Sequence, residues 1–191
     1  MKTVIVLSAL LLLTSACASN PPGPPGGLAL EIMAELDAGR SAQADELFER
    51  VATDRSYTEE IYPVLYARAQ ERYEAGDFAD AATLLRFLAR HYDRGKAVRE
   101  ALLYALFLDR ATTPGPRPEL TAEIEGVLRD LRTREARTPW LELVAAQQAI
   151  DQDRLPEARQ AFERFVTSDG PTLVPELALY VENVSRYLQS H

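Results

Sequence analysis

The chain has 191 residues, of which 47% are hydrophobic and 26% charged, a balance typical of a globular protein with a sizeable core. Its net charge of −8 argues against binding to nucleic acid or docking on anionic lipid headgroups, because both require a basic surface. With Cys17 as its single cysteine and only two histidines, the sequence excludes a disulfide framework and a cysteine-rich zinc site, and leaves little for any other metal centre.

The N-terminus has the pattern of a secretory signal peptide. Lys2 gives a positive start, and the apolar run Thr3–Ala16 is shorter than the roughly twenty residues that a transmembrane helix needs. The run ends in Leu13-Thr14-Ser15-Ala16-Cys17. This resembles a bacterial lipobox, although the leucine lies one position further from the cysteine than usual. The resemblance implies that residues 1–16 are removed and that Cys17 is acylated, with palmitate among its chains. The alternative is an ordinary signal peptide.

A short tether follows the cysteine. In lipoproteins of two-membrane bacteria, Ala18 at this position instead of aspartate implies transport to the outer membrane. The segment Asn20–Gly27, NPPGPPGG, favours extended backbone and spans roughly 25–30 Å from Cys17. The expected location is therefore the periplasmic face of the outer membrane, with residues 17–27 as lipidated cysteine and tether and residues 28–191 as the folded domain. A proline-rich ligand for a partner domain is the alternative for this segment.

From Leu28 onward, apolar residues recur every three or four positions, which predicts amphipathic helices and an all-α fold. Similar turns at Gly39, Gly76 and Asp153 are separated by multiples of about 38 residues, and the breaker Thr112–Pro118 lies midway between the last two. Four hairpins are predicted: Leu28–Ala38 with Ser41–Ala52, Glu60–Ala75 with Phe78–Tyr92, Lys96–Ala111 with Glu119–Arg134, and Pro139–Gln152 with Leu155–Thr167. A last helix over Thr172–Ser190, with Thr172 as its cap and Pro175 in its first turn, would cover the end of the array.

The second hairpin carries the clearest pattern. Gly76 can adopt the left-handed conformation that ends a helix, and Asp77 can cap the next one. The residues Leu65, Ala69, Gly76-Asp77-Phe78, Ala81, Leu85 and Leu88 resemble a tetratricopeptide (TPR) hairpin. Arg72 stands where an aromatic is usual, and the expected proline after the second helix is missing. The resemblance implies a right-handed solenoid of stacked antiparallel hairpins with a C-terminal capping helix; a compact bundle is the alternative.

In TPR proteins the first helices of the hairpins line a concave groove that binds partners. The resemblance implies that the groove residues here are Tyr66, Ala67, Gln70, Tyr73, Glu74, Tyr104, Trp140, Leu143, Val144, Gln147 and Asp151. Tyrosine and tryptophan suit peptide capture because they offer broad, rigid contact area with a polar tip. The alternative is that Tyr66, Tyr73 and Trp140 belong to the core.

Motifs for chemistry are absent from the sequence. It has no glycine-rich phosphate loop, no His-Glu-x-x-His and no Gly-x-Ser-x-Gly. The acidic pairs Glu59-Glu60, Glu123/Glu125 and Asp151/Asp153 fit solvated helix faces and helix caps, and His91 is expected to cap a helix end. We therefore predict no catalytic residue, no metal and no cofactor.

The sequence favours a non-enzymatic periplasmic adaptor that binds protein partners. The resemblance to TPR lipoproteins implies roles such as assembly of outer-membrane or pilus components, or recruitment of cell-wall enzymes. Two alternatives stay open: a peptidoglycan enzyme or a regulator of one, and a helical bundle that binds a small molecule or lipid.

Overall fold

A computed structural model describes residues 24–92, 96–115, 117–136, 139–168 and 178–191. Within these ranges the chain forms nine α-helices and no strand, so the all-α prediction is confirmed. In chain order the helices are α1 (Pro25–Asp37), α2 (Ser41–Glu49), α3 (Arg55–Glu74), α4 (Phe78–His91), α5 (Ala97–Thr112), α6 (Pro118–Thr133), α7 (Pro139–Asp151), α8 (Leu155–Thr167) and α9 (Ala178–Ser190).

The folded domain begins earlier than predicted, because α1 starts at Pro25 and includes Gly26 and Gly27, which the sequence pattern assigned to the tether. Proline is well suited to the first position of a helix, and the Leu28 N–H already donates to the Pro24 carbonyl at 3.0 Å.

Several predictions fall outside the described residues. These are the signal peptide over residues 1–16, the lipidated Cys17, and the cap Thr172 with Pro175 before the last helix. Among the residues that are described, no helix combines the length and the apolar character needed to cross a membrane.

The turns of three hairpins share one backbone geometry. Gly39, Gly76 and Asp153 have φ angles of 73°, 83° and 56°. In each turn the next residue donates its N–H to a carbonyl in the last turn of the preceding helix, at 2.8, 2.9 and 2.7 Å respectively. This is the bond expected when a left-handed residue ends a helix. The alignment of the three turns in the sequence is therefore confirmed.

Helix α3 begins earlier than predicted. The sequence pattern placed its start at Glu60, but the helix begins at Arg55 and has 20 residues. Asp54 caps this end, because its carboxylate accepts hydrogen bonds from the Ser56 N–H (2.9 Å) and hydroxyl (2.7 Å). Pro63 lies inside the helix, nine residues after this cap.

The predicted cap at Asp77 is wrong. Its side chain makes no capping hydrogen bond to α4. The carboxylate instead accepts from the Arg72 guanidinium at 3.3 Å, at the end of the preceding helix. The charge of Arg72 thus holds the carboxylate on the α3 side of the turn.

The predicted role of His91 is also wrong. Its ring lies between those of Phe48 and Phe87, with centroids 4.5 Å from each, and Nε2 lies 2.7 Å from Asp45 Oδ1. His91 therefore ties α4 to α2 instead of capping its own helix. The sequence could not reveal this, because Asp45 and Phe48 belong to the preceding hairpin.

Helices close in the chain contact each other. Close packing joins α1 to α2 and α3, α3 to α4, α4 to α5, α5 to α6, α7 to α8 and α8 to α9. Ala69 and Ala81, which are almost fully buried, let α3 and α4 approach closely. Between hairpins, the Arg86 guanidinium of α4 forms a two-pronged ion pair with Glu123 of α6, at 2.5 and 2.9 Å. One core of buried apolar residues runs from Leu28 to Leu188.

The turn geometry predicts opposite effects for two glycine substitutions. Gly76→Ala should lower the free energy of unfolding by about 1–2 kcal/mol, because alanine is strained at positive φ although no atom obstructs its Cβ. Gly126→Ala, in the interior of α6 and also unobstructed, should raise it by about 1 kcal/mol. Urea unfolding of both variants measures the difference; equal effects would contradict this account of the turn.

Candidate functional site

An open groove of about 310 Å³ lies between α3 and α5, the first helices of the second and third hairpins. Five of the predicted partner-binding residues line it: Tyr66, Gln70, Tyr73, Glu74 and Tyr104. We call this the tyrosine groove. Four of these five predicted residues come from α3, where they recur at helical spacing and share one face, while Tyr104 comes from α5.

Each tyrosine ring of the groove packs against a further aromatic ring. Tyr66 stacks on Tyr62, with centroids 5.7 Å apart and planes at 7°. Tyr73 meets Phe78 edge-on at 5.4 Å, and Tyr104 lies tilted against Trp140 at 4.3 Å. These contacts hold the rings in place before anything binds. A bound segment would therefore cost little side-chain entropy on the groove side.

The floor and the rim of the groove differ in polarity. Ala69 and Leu85 line it and are nearly fully buried. Gln70 and Glu74 are exposed, and among the described residues neither side chain has a hydrogen-bond or ion-pair partner. The groove thus offers aromatic and methyl surface beside an amide and an uncompensated carboxylate. This arrangement suits a ligand with apolar bulk, a hydrogen-bond donor and a positive charge.

The predicted groove residues of the fourth hairpin lie elsewhere. Trp140 is 7% exposed and Val144 is 1% exposed, so the prediction that they face a groove is wrong. Leu143, at 0%, is also buried. For Trp140 the physical reason is aromatic packing, because the rings of Tyr104 and Phe107 lie 4.3 and 6.1 Å away. The alternative reading of Trp140 as a core residue is correct.

Gln147 lines a second, smaller cavity of about 220 Å³ between α5 and α7. Tyr180 of α9 reaches into this cavity, where its hydroxyl donates to Gln147 Oε1 and its ring lies edge-on to Phe107 at 5.5 Å. Gln147 Nε2 in turn donates to Asp151 Oδ1 at 2.8 Å, and Asp151 pairs with Arg110. We call this the filled cavity.

Tyr180 is the residue whose role sequence reasoning missed. Its position in the sequence of α9 places it on the apolar face of that helix. Nothing in the sequence distinguishes it from the other apolar residues expected to cover the end of the array. A tyrosine hydroxyl needs a partner when buried, and this is the signal that could have singled it out. Burial raises the pKa of Tyr180, and the charge of Asp151 raises it further while Arg110 opposes the change.

A third, shallow groove of about 640 Å³ lies between α1 and α3. Ala67, which the sequence assigned to the partner-binding surface, lines this groove and not the tyrosine groove. Leu30 and Val64, which also line it, are 60% and 36% exposed. The first helices of successive hairpins are therefore separated by grooves at three places, of which the tyrosine groove has the most aromatic lining.

Among the described residues, no group of three His, Asp or Glu side chains is arranged to hold a metal ion. In comparisons with known proteins, no family model, no curated protein and no solved structure matches this chain. The grooves and the N-terminal pattern are thus the features from which its function can be inferred.

The pKa of Tyr180 predicts a loss of stability at high pH. Because the pKa is raised in the folded state, the stabilisation from the neutral phenol is complete below about pH 10, the ordinary value, and is lost as pH rises above it. Tyr180→Phe should cost about 1 kcal/mol at pH 7 through the lost hydrogen bond. Above pH 10 its stability should fall less steeply than that of the wild type. Urea unfolding at pH 7, 9 and 11 tests this, and parallel pH curves would contradict it.

Proposed function

We propose that this protein is a lipid-anchored adaptor on the periplasmic face of the outer membrane that binds protein partners through the tyrosine groove. The observation that carries the proposal is the convergence of Tyr66, Tyr73 and Tyr104 with Gln70 and Glu74 around one open cavity. Preordered aromatic rings with polar tips are the residues that contribute most to protein–protein binding. The groove is open, and the described residues that line it include no nucleophile beside a general base, which favours binding over catalysis.

The proposal includes a TPR-like arrangement of the helices. Repeated left-handed turns, the packing of α1 on α3 and the packing of α4 on α5 support it. In a right-handed solenoid of this kind, the first helices of the hairpins form one concave surface, and the three grooves between α1, α3, α5 and α7 follow one another along it. The tyrosine groove would then occupy the middle of the binding surface.

The proposed anchor is Cys17. Its position after an apolar run and before the Pro/Gly tether supports acylation, and three acyl chains bind a membrane far more firmly than one. We expect wild-type protein in a two-membrane bacterium to incorporate labelled palmitate and to fractionate with the outer membrane. Cys17→Ser should abolish both. Wild-type protein that is released without label would refute the anchor.

Partner binding can be tested with exposed residues that do not contribute to the core. Gln70→Arg with Glu74→Lys reverses the charge of the groove rim, and Gln160→Arg with Glu163→Lys makes the same changes on the exposed surface of α8. In affinity capture from detergent extracts, the rim variant should recover at least about ten-fold less of the proteins that the wild type captures. The α8 variant should recover them as the wild type does. Equal recovery by both variants would refute binding through this groove.

A further inference from the structure

At the filled cavity, the chain itself places a tyrosine side chain beside α7, the first helix of the fourth hairpin. Tyr180 comes from α9, a helix held in place by the buried residues Val184 and Leu188 and by a hydrogen bond from Arg159 to the Leu188 carbonyl at 3.2 Å. The ring of Tyr180 covers Phe107, and its hydroxyl satisfies Gln147. At the filled cavity, this surface therefore already binds an aromatic side chain that a helix of the same chain presents.

The polar groups of the tyrosine groove are the repeat counterparts of those in the filled cavity. Gln70 precedes the turn residue Gly76 by as many positions as Gln147 precedes the turn residue Asp153. By the same register, Glu74 corresponds to Asp151. Two side chains of the same chemistry thus recur at the same places on α3 and α7, one turn apart in each helix.

The two sites differ in what satisfies these groups. Asp151 is neutralised by Arg110 of α5. Among the described residues, Glu74 has no cation and Gln70 has no hydrogen-bond donor. Within the part of the chain that the structure describes, Gln70 and Glu74 therefore lack the two partners that the chain supplies to Gln147 and Asp151, a phenol hydroxyl and a guanidinium.

The shape of the groove agrees with this chemistry. Ala69, on the floor of the groove, contributes only a methyl group, so the space among the three tyrosine rings stays open. The resulting volume of about 310 Å³ is at the lower end of ligand pockets, enough for one large side chain.

We propose that the tyrosine groove binds a helical segment of a partner protein that presents a tyrosine to Gln70 and, one turn away, an arginine or lysine to Glu74. The inference rests on the proposed binding role of this groove and specifies the chemistry of its partner. The tyrosine ring lies over Ala69 among Tyr66, Tyr73 and Tyr104. Its hydroxyl donates to the Gln70 carbonyl, and the cation pairs with the Glu74 carboxylate.

The test uses the whole protein and a synthetic alanine-rich helical peptide with tyrosine and arginine four residues apart. We expect NMR shift changes confined to α3 and α5. Replacing the peptide tyrosine by phenylalanine should weaken binding about five-fold to wild type, and not to Gln70→Met. Replacing the arginine by glutamine should weaken binding about five-fold to wild type, and not to Glu74→Gln. A peptide with the two residues adjacent should bind at least about five-fold more weakly, because it cannot reach both groups.

Both protein variants replace exposed side chains, and circular dichroism verifies that they fold. Absence of binding, equal affinity for all peptides, or losses that persist in the matched variants would each overturn the inference. Concentration-dependent self-association that Gln70→Met abolishes would also overturn it, since α9 of a second copy would then be the ligand. If the peptide does not bind but cellular capture still depends on the groove rim, this partner chemistry is refuted and the adaptor function is still supported. If the peptide does not bind and capture is also independent of the rim, both proposals are refuted.

Discussion

A single backbone constraint shapes the grooved surface of this protein: the chain reverses at residues with positive φ, and it does so in the same way at Gly39, Gly76 and Asp153. Each of these residues ends one helix and directs the next to run back beside it, with a hydrogen bond of 2.7–2.9 Å closing the turn. Because the reversal is repeated, side chains at equivalent positions in the first helices appear on equivalent faces. The recurrence of a glutamine and an acidic residue before two of these turns follows from it.

Aromatic contacts then distinguish one groove from the next. In the tyrosine groove, the rings of Tyr66, Tyr73 and Tyr104 surround the small side chain of Ala69 and leave a cavity. Further along, larger rings close the surface, because Trp140 fills the space beside Tyr104 and Phe107. The same backbone arrangement therefore yields an open site or a packed core, depending on the size of a few side chains.

Much of the fold could be predicted from the sequence, because turn chemistry and helical periodicity are local. The helices around Gly76 follow from residues within a few positions of it, and so does the face that carries Tyr66, Gln70 and Glu74. The predicted start of α3 is five residues late, because the prediction did not take account of Asp54, whose side chain caps the helix. What could not be predicted depends on residues distant in the chain.

Three side chains show this limit. Tryptophan is a residue type that is common at binding surfaces, but Trp140 is buried because of how α5 lies against α7. His91 has an acidic partner and two aromatic neighbours, of which Asp45 and Phe48 come from another hairpin. The environment of Tyr180 is made by helices two and four elements earlier in the chain. None of these contacts produces a recognisable pattern in the local sequence, so they can be identified only in the folded structure.

The place of the tyrosine groove in the chain also limits how far from a membrane this protein could act. Neighbouring helices lie roughly 8–10 Å apart, so a groove between α3 and α5 is roughly 12–15 Å from the axis of α1. The segment from the proposed anchor Cys17 to the start of α1 at Pro25 would span roughly 25 Å if it were extended, so everything bound there would stay within about 50 Å of the lipid surface. Such a short working radius suits capture of neighbours embedded in, or resting against, the same bilayer. One anchored molecule could then reach distant structures only through a bound partner that extends to them.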